Sequence, residues 1–170
     1  MDKVFAELTR SIPDLTDLVR ILGRLSVALI IGAAVGLQRE VSHKSAGLRT
    51  HMLVALGTAL LLVTASNAGL DSSDLARVLQ GIITGVGFLG GGAILKLTQE
   101  REIRGLTTAA GIWLTASASA AAGLGQLAAA LIGLVLGLVV LVGIGRLEGK
   151  LDGRLPASGA APTREDHEIK

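Results

Sequence analysis

The sequence predicts an all-α, polytopic membrane helix bundle of about five transmembrane helices. Three observations carry this reading. Half of the 170 residues are hydrophobic and only 18% are charged, too little charge to keep a soluble domain's surface wet. Five stretches approach the roughly 20 apolar residues that a membrane helix needs. The short connections between them alternate between basic and non-basic, as the positive-inside rule requires of an odd number of spans. Mean hydropathy is +0.61.

The five stretches run from Ile21 to Gln38, Leu48 to Asn67, Val78 to Lys96, Leu106 to Gly123 and Leu127 to Gly145. Arg24 lies in the early turns of the first, where a long side chain can snorkel toward the headgroups. Residues 1–19 mix Val4, Phe5, Leu8, Ile12 and Leu15 with charges and read as an amphipathic segment on the membrane surface. The bundle itself spans 20–146. Residues 147–170 are polar and rich in Ala, Pro and Gly, the composition of a disordered tail.

Loop charge sets the orientation. Arg39, His43, Lys44 and Arg49 flank the first connection, Lys96, Arg101 and Arg104 the third, and Arg146, Lys150 and Arg154 follow the fifth helix. The second connection holds Asp71 and Asp74 against Arg77, and the fourth, around Gly123-Leu124-Gly125, is uncharged. The expected topology is N-terminus outside and C-terminus cytoplasmic.

Composition narrows function. A net charge of +2 does not call for a nucleic acid partner. There is no cysteine, so there is no thiolate metal site. Aromatic residues are 2% of the chain, so the usual interfacial belt is missing and charged residues must fix depth. His43, His51 and His167 are scattered, with no nucleophile or carboxylate at a telling spacing; no catalytic constellation and no cofactor are expected. Asp71 and Asp74 offer a hard cation such as Mg²⁺ too few oxygens for a dedicated site.

The run Gly85-Val86-Gly87-Phe88-Leu89-Gly90 matches the G-x-G-x-x-G dinucleotide pattern without the βαβ unit that gives the pattern its meaning. Glycines at 81, 85, 87, 90, 91 and 92 instead strip the third helix of side chains. Gly81/Gly85 and Gly87/Gly91 have the spacing that lets backbones touch, and close packing is expected there ahead of a passage for an ion. Gly32/Gly36 and Gly133/Gly137 repeat the spacing more weakly. Within the spans the polar residues are mild (Thr58, Gln80, Thr84, Thr115, Ser117, Ser119), with no Asp, Glu or Lys near a span centre, which weighs against a proton-driven pump. At the basic end Arg39, Glu40, Lys44, Arg49, Lys96 and Arg104 read as a charged rim, in which Glu40 can pair with Arg39, Arg49 or Arg104. Gly47-Leu48-Arg49-Thr50 and Gly105-Leu106-Thr107-Thr108 open the second and fourth helices alike, as in a repeat, each placing a threonine where its hydroxyl can satisfy a free backbone N–H.

Three ordered blocks resemble the MgtC/SapB family: Gly36-Leu37-Gln38-Arg39-Glu40 with Ala46-Gly47-Leu48-Arg49-Thr50; Gln80-Gly81 with Thr84 through Ile94; and Gly105 through Trp113. The resemblance covers about residues 20–145. It departs at Gln38, where the family often has Glu, and at Gly91, where it often has Ala. Several members carry a folded cytoplasmic C-terminal domain, and functions that depend on that domain are not carried over. The resemblance implies a multi-pass bacterial inner-membrane protein linked to magnesium homeostasis, growth in low Mg²⁺ and virulence. Some members are thought to restrain other membrane proteins, among them the F-type ATP synthase. The expected function is therefore non-enzymatic and regulatory, through contacts with other membrane proteins or a second copy of the chain in the lipid bilayer. The alternative is a small Mg²⁺ or other cation channel or transporter working as an oligomer. Residues singled out, functionally or structurally, are Gln38, Arg39, Glu40, Arg49, Thr50, Asp74, Arg77, Gln80, Thr84, Gly85, Gly87, Phe88, Gly90, Arg104, Thr107, Thr108 and Trp113.

Overall fold

The structure is a computed structural model that describes residues 14–97 and 102–144. The segment 1–13 and the tail 147–170 lie outside the described residues. Helix α1 (Leu15–Val41) begins where Asp14, just after Pro13, accepts a hydrogen bond from the Asp17 N–H at 2.7 Å. It is therefore six residues longer at its start than hydropathy alone suggests. Helices α2 (Leu48–Asn67) and α4 (Leu106–Gly123) fall where the apolar stretches place them. Helix α5 (Leu127–Leu138) continues as a π-helical segment over Val139–Ile144.

The third span differs from expectation. Helix α3 covers Ser72–Gly92, starting earlier because Asp71 caps it through both Ser73 N–H and Asp74 N–H. It ends on its run of glycines, and Lys96 belongs instead to a short antiparallel hairpin, β1 (Leu95–Leu97) with β2 (Glu102–Arg104). Gly105 turns the chain from β2 into α4 in a left-handed conformation (φ 98°), and a side chain there would run into the Ala93 carbonyl.

Among the described residues four helices, α1, α2, α3 and α5 with its π-helical end, are long and apolar enough to cross a membrane. Helix α4 is outside that group because Ala, Gly, Ser and Thr dominate it; it is also the central helix, packed against the other four, with ten buried residues. Small residues suit that position, because they let backbones approach where no water and few bulky side chains fit. One core joins Ala28, Ile31 and Val35 of α1 to Ala59, Ala118, Ala122, Ala130 and Leu134. A second joins Ala46, Val86, Ile112 and Ala116.

The tightest crossing is α1 on α2. A Cβ added at Gly32 would lie 2.8 Å from Ala55 Cβ, and one at Gly36 would lie 2.7 Å from Leu48 Cα. The close packing expected of α3 is not found among the described residues: Gly81, Gly85, Gly87, Gly91 and Gly92 have nothing within 4 Å of an added Cβ, and of the α3 glycines Gly90 alone approaches a neighbour, Ala109 at 3.6 Å. Only Val86 and Gly90 of α3 are buried. The glycine pattern reports how close a second helix can come, and among the described residues no helix of the chain takes up that approach at Gly81, Gly85, Gly87, Gly91 or Gly92.

Candidate functional site

A polar seam runs through the bundle along one face of α4. Thr108, Gly111, Thr115 and Ser119 recur at three- and four-residue intervals and are all buried, which places them on a single stripe. Two side chains meet that stripe from other helices. Arg39 of α1 donates from Nη2 to Thr108 Oγ1 at 2.9 Å, and His51 of α2 places Nδ1 2.9 Å from Thr115 Oγ1. Thr115 also donates to the Gly111 carbonyl at 2.9 Å. Gly111 lets the imidazole in: a Cβ there would stand 3.6 Å from His51 Cε1.

Burial makes this seam unusual. Arg39 is 3% exposed and His51 fully buried. No carboxylate among the described residues pairs with the Arg39 guanidinium. Arg39 Nε, His51 Nε2, Ser119 Oγ and Gln38 Oε1 are buried without a protein hydrogen-bond partner. Buried polar atoms normally find partners, so four orphans between one end and the middle of the bundle set this seam apart from the rest of the core.

The sequence placed Arg39 in a surface rim with Glu40. The structure separates them. Arg39 turns into the bundle, whereas exposed Glu40 accepts from the Leu48 N–H at 3.0 Å and so caps α2 in place of side-chain-less Gly47, where a Cβ would collide with the Glu40 carboxylate. The threonine hydroxyls expected to cap their helices do otherwise: Thr108 is taken by Arg39 and Thr50 is exposed. The openings of α2 and α4 also differ in backbone, extended at Gly47 and left-handed at Gly105. At the opposite end Arg24 does not snorkel outward. It donates to the Gly123 carbonyl at 3.1 Å, satisfying a free acceptor at the negative end of α4.

The remaining predicted residues divide between two surfaces. Gln38 bonds Ser42 through Nε2 at 3.2 Å, and Arg49, Thr107 and Arg104 are exposed at the same end of the bundle. Gln80, Thr84, Gly85, Gly87 and Phe88 are exposed on α3, with Thr84 donating to the Gln80 carbonyl at 2.9 Å. Phe88 is 82% exposed and Trp113 is 51% exposed. Two clefts border this face. One of about 210 Å³ is lined by Leu79, Ile82, Val86, Trp113 and Ala120; the other, about 360 Å³, lies between Ser45, Thr50, Phe88, Gly92 and Ile112. Asp74 pairs with Arg77 at 3.8 Å on the exposed first turn of α3, and Asp71 is committed to its cap. Among the described residues no three His, Asp or Glu side chains converge as a metal site would need.

Sequence reading missed His51, Thr115 and Ser119 as parts of a site. The signal was present as the spacing of hydroxyls and glycine on α4, but a lone histidine near a helix start gave no indication that it faces them.

Long apolar helices enclosing a polar seam make this a multi-pass membrane protein. The model of the MgtC family matches residues 25–150, and the chain belongs to that family. It is 42% identical over 136 residues to the SrpB protein of Synechococcus elongatus, covering 74% of this chain and 75% of the relative. It is 39% identical over 128 residues to Escherichia coli YhiD, covering 69% and 57%, and 34% identical over 140 residues to Salmonella typhi MgtC, covering 82% and 58%. Against YhiD and MgtC the chain thus spans little more than half of the relative's length. No solved structure matches it.

Proposed function

We propose that the chain is a bacterial inner-membrane protein of magnesium homeostasis that acts without catalysis, by helix-to-helix association with other membrane proteins. The observation that carries this reading is the state of α3. Its glycines 81, 85 and 92 share one stripe of the helix and are open to a full Cβ without contact, and Phe88 on the same stripe is 82% exposed. In lipid, where apolar side chains gain nothing by leaving the tails, association is driven by close backbone approach, and a bare ridge flanked by clefts is the surface that permits it. The polar seam supports the same reading from the other side: its one buried charge is the cation Arg39, which repels a cation in transit. By the loop charges, the Arg39 end faces the cytoplasm. The connection to magnesium rests on the family and on the E. coli relative, which carries a provisional magnesium-transporter name.

That name also favours a second reading, cation transport by an oligomer whose path runs along α3. The two are separated by one pair of measurements on protein of verified fold. Site-specific photocrosslinking from Gly85 in growing cells captures a helical partner under the association reading, and Gly85→Leu removes both the crosslink at neighbouring positions and growth in low Mg²⁺. Mg²⁺ flux into liposomes from the purified chain, lost in the same variant, would sink the association reading in favour of transport.

A further inference from the structure

We propose that the N-terminus of α4 and the buried Arg39 guanidinium together bind a phosphoryl oxyanion, supplied by a phospholipid headgroup or by free phosphate. The site does not rest on the stripe of α3; when filled, its anion would offset the Arg39 charge and with it the repulsion of a cation in transit.

Helix α4 is 18 residues long, and its N-terminus is left bare by its own sequence. Gly105 at the cap has no side chain, no side-chain cap bond forms, and the first turn contains no acidic residue. The free N–H groups there carry the positive end of the helix dipole. Into this region the fold brings a second positive group. Arg39 reaches the first turn through Thr108, and both residues are 3% exposed. A buried guanidinium beside the positive end of a helix, with no carboxylate of the described residues paired to it, forms an arrangement that an anion relieves.

The orphaned atom gives the anion's shape. Nε and Nη2 form the side edge of a guanidinium, the fork that takes two oxygens of one phosphate or carboxylate. Nη2 is anchored on Thr108 in the first turn of α4, and Nε, its neighbour on that edge, is the atom left without a partner. A tetrahedral oxyanion seated there accepts from Nε and Nη2 with two oxygens and leaves others for the first-turn N–H groups and the Thr107 hydroxyl, which is exposed and open to approach. Lys44 and Arg49, exposed at the same end, raise the local concentration of anions.

The test uses the full chain, delipidated in maltoside micelles. Binding of inorganic phosphate is read by equilibrium dialysis and by thermal shift against chloride at equal ionic strength. A parallel titration compares short-chain phosphatidylglycerol with a phosphate-free glycolipid of the same chains. Saturable, Arg39-dependent binding of either phosphoryl compound is expected, with Arg39→Lys, which keeps the charge but loses the fork, weakening it about tenfold. If phosphatidylglycerol displaces phosphate the headgroup is the occupant; phosphate that binds and resists displacement identifies the free anion. Should Arg39→Lys fail to fold, Thr107→Glu, which sets a carboxylate on the exposed first turn, must abolish binding. No phosphoryl binding above the chloride and glycolipid controls, or binding unchanged in Thr107→Glu or in folded Arg39→Lys, overturns the proposal.

Discussion

Gly36 of α1 lies so close to Leu48 of α2 that a methyl group added to the glycine would sit 2.7 Å from the Leu48 Cα. The obstacle is backbone, which cannot rotate aside as a side chain can. Gly36→Ala and Gly32→Ala should each destabilise the bundle by about 1–3 kcal/mol, the ordinary cost of overpacking. Reversible unfolding in mixed micelles measures this. Equal stability of Gly36→Ala and the parent would show that the helices do not cross there.

Gly85→Leu should leave that stability within about 0.5 kcal/mol, since an added Cβ meets nothing. The contrast between Gly36 and Gly85 separates a glycine that serves folding from one that serves encounters with other helices. A Gly85→Leu protein that unfolds as readily as Gly36→Ala would place α3 inside the bundle.

Thr108→Val removes the one acceptor held by Arg39 while preserving shape. A buried guanidinium left short of a partner costs about 1–3 kcal/mol. Thr108→Ser, which restores the hydroxyl, should recover most of it. The readout is unfolding free energy across the three proteins, and a valine variant as stable as the serine one would refute the bond.

Asp71 is held below the ordinary carboxyl range, first by the Asp74 N–H and then by the Ser73 hydroxyl and N–H that its carboxylate accepts. A depressed folded value means that its contribution to the start of α3 is complete above the ordinary carboxyl value of about 3.9 and fades as pH falls through the folded one. Amide shifts of Ser73 and Asp74 should therefore titrate together with a midpoint under 3.9, and this step should vanish in Asp71→Asn, which keeps an acceptor but no titrating group. A midpoint at the ordinary value would show that the cap is not formed.

How far the sequence led can be judged from α2 and α4, whose ends hydropathy located, against α1 and α3, whose starts it set too late. In the latter the capping aspartates Asp14 and Asp71 begin the helix in polar sequence, ahead of its apolar part. The family blocks were legible, yet their partners were not. Arg39, Glu40 and Thr108 stood out by type, but whether Arg39 meets its neighbour Glu40 or a threonine 69 positions away depends on which side of α1 faces α4. Glycine spacing misled most at α3, because it registers the capacity for close approach without saying whether the chain itself or another supplies the second helix.

Arg24 and Arg39 stand fifteen residues apart on α1, about 22 Å along its axis, one fastened near each end of α4. Helix α1 thereby acts as a ruler for its neighbour. A single residue inserted in α4 between Thr108 and Gly123 would advance the Gly123 carbonyl by about 1.5 Å and turn it by about 100°, out of reach of Arg24. The small, weakly apolar helix at the centre is held to its length from outside by two arginines, and its freedom to shift along the membrane normal is given up at both ends.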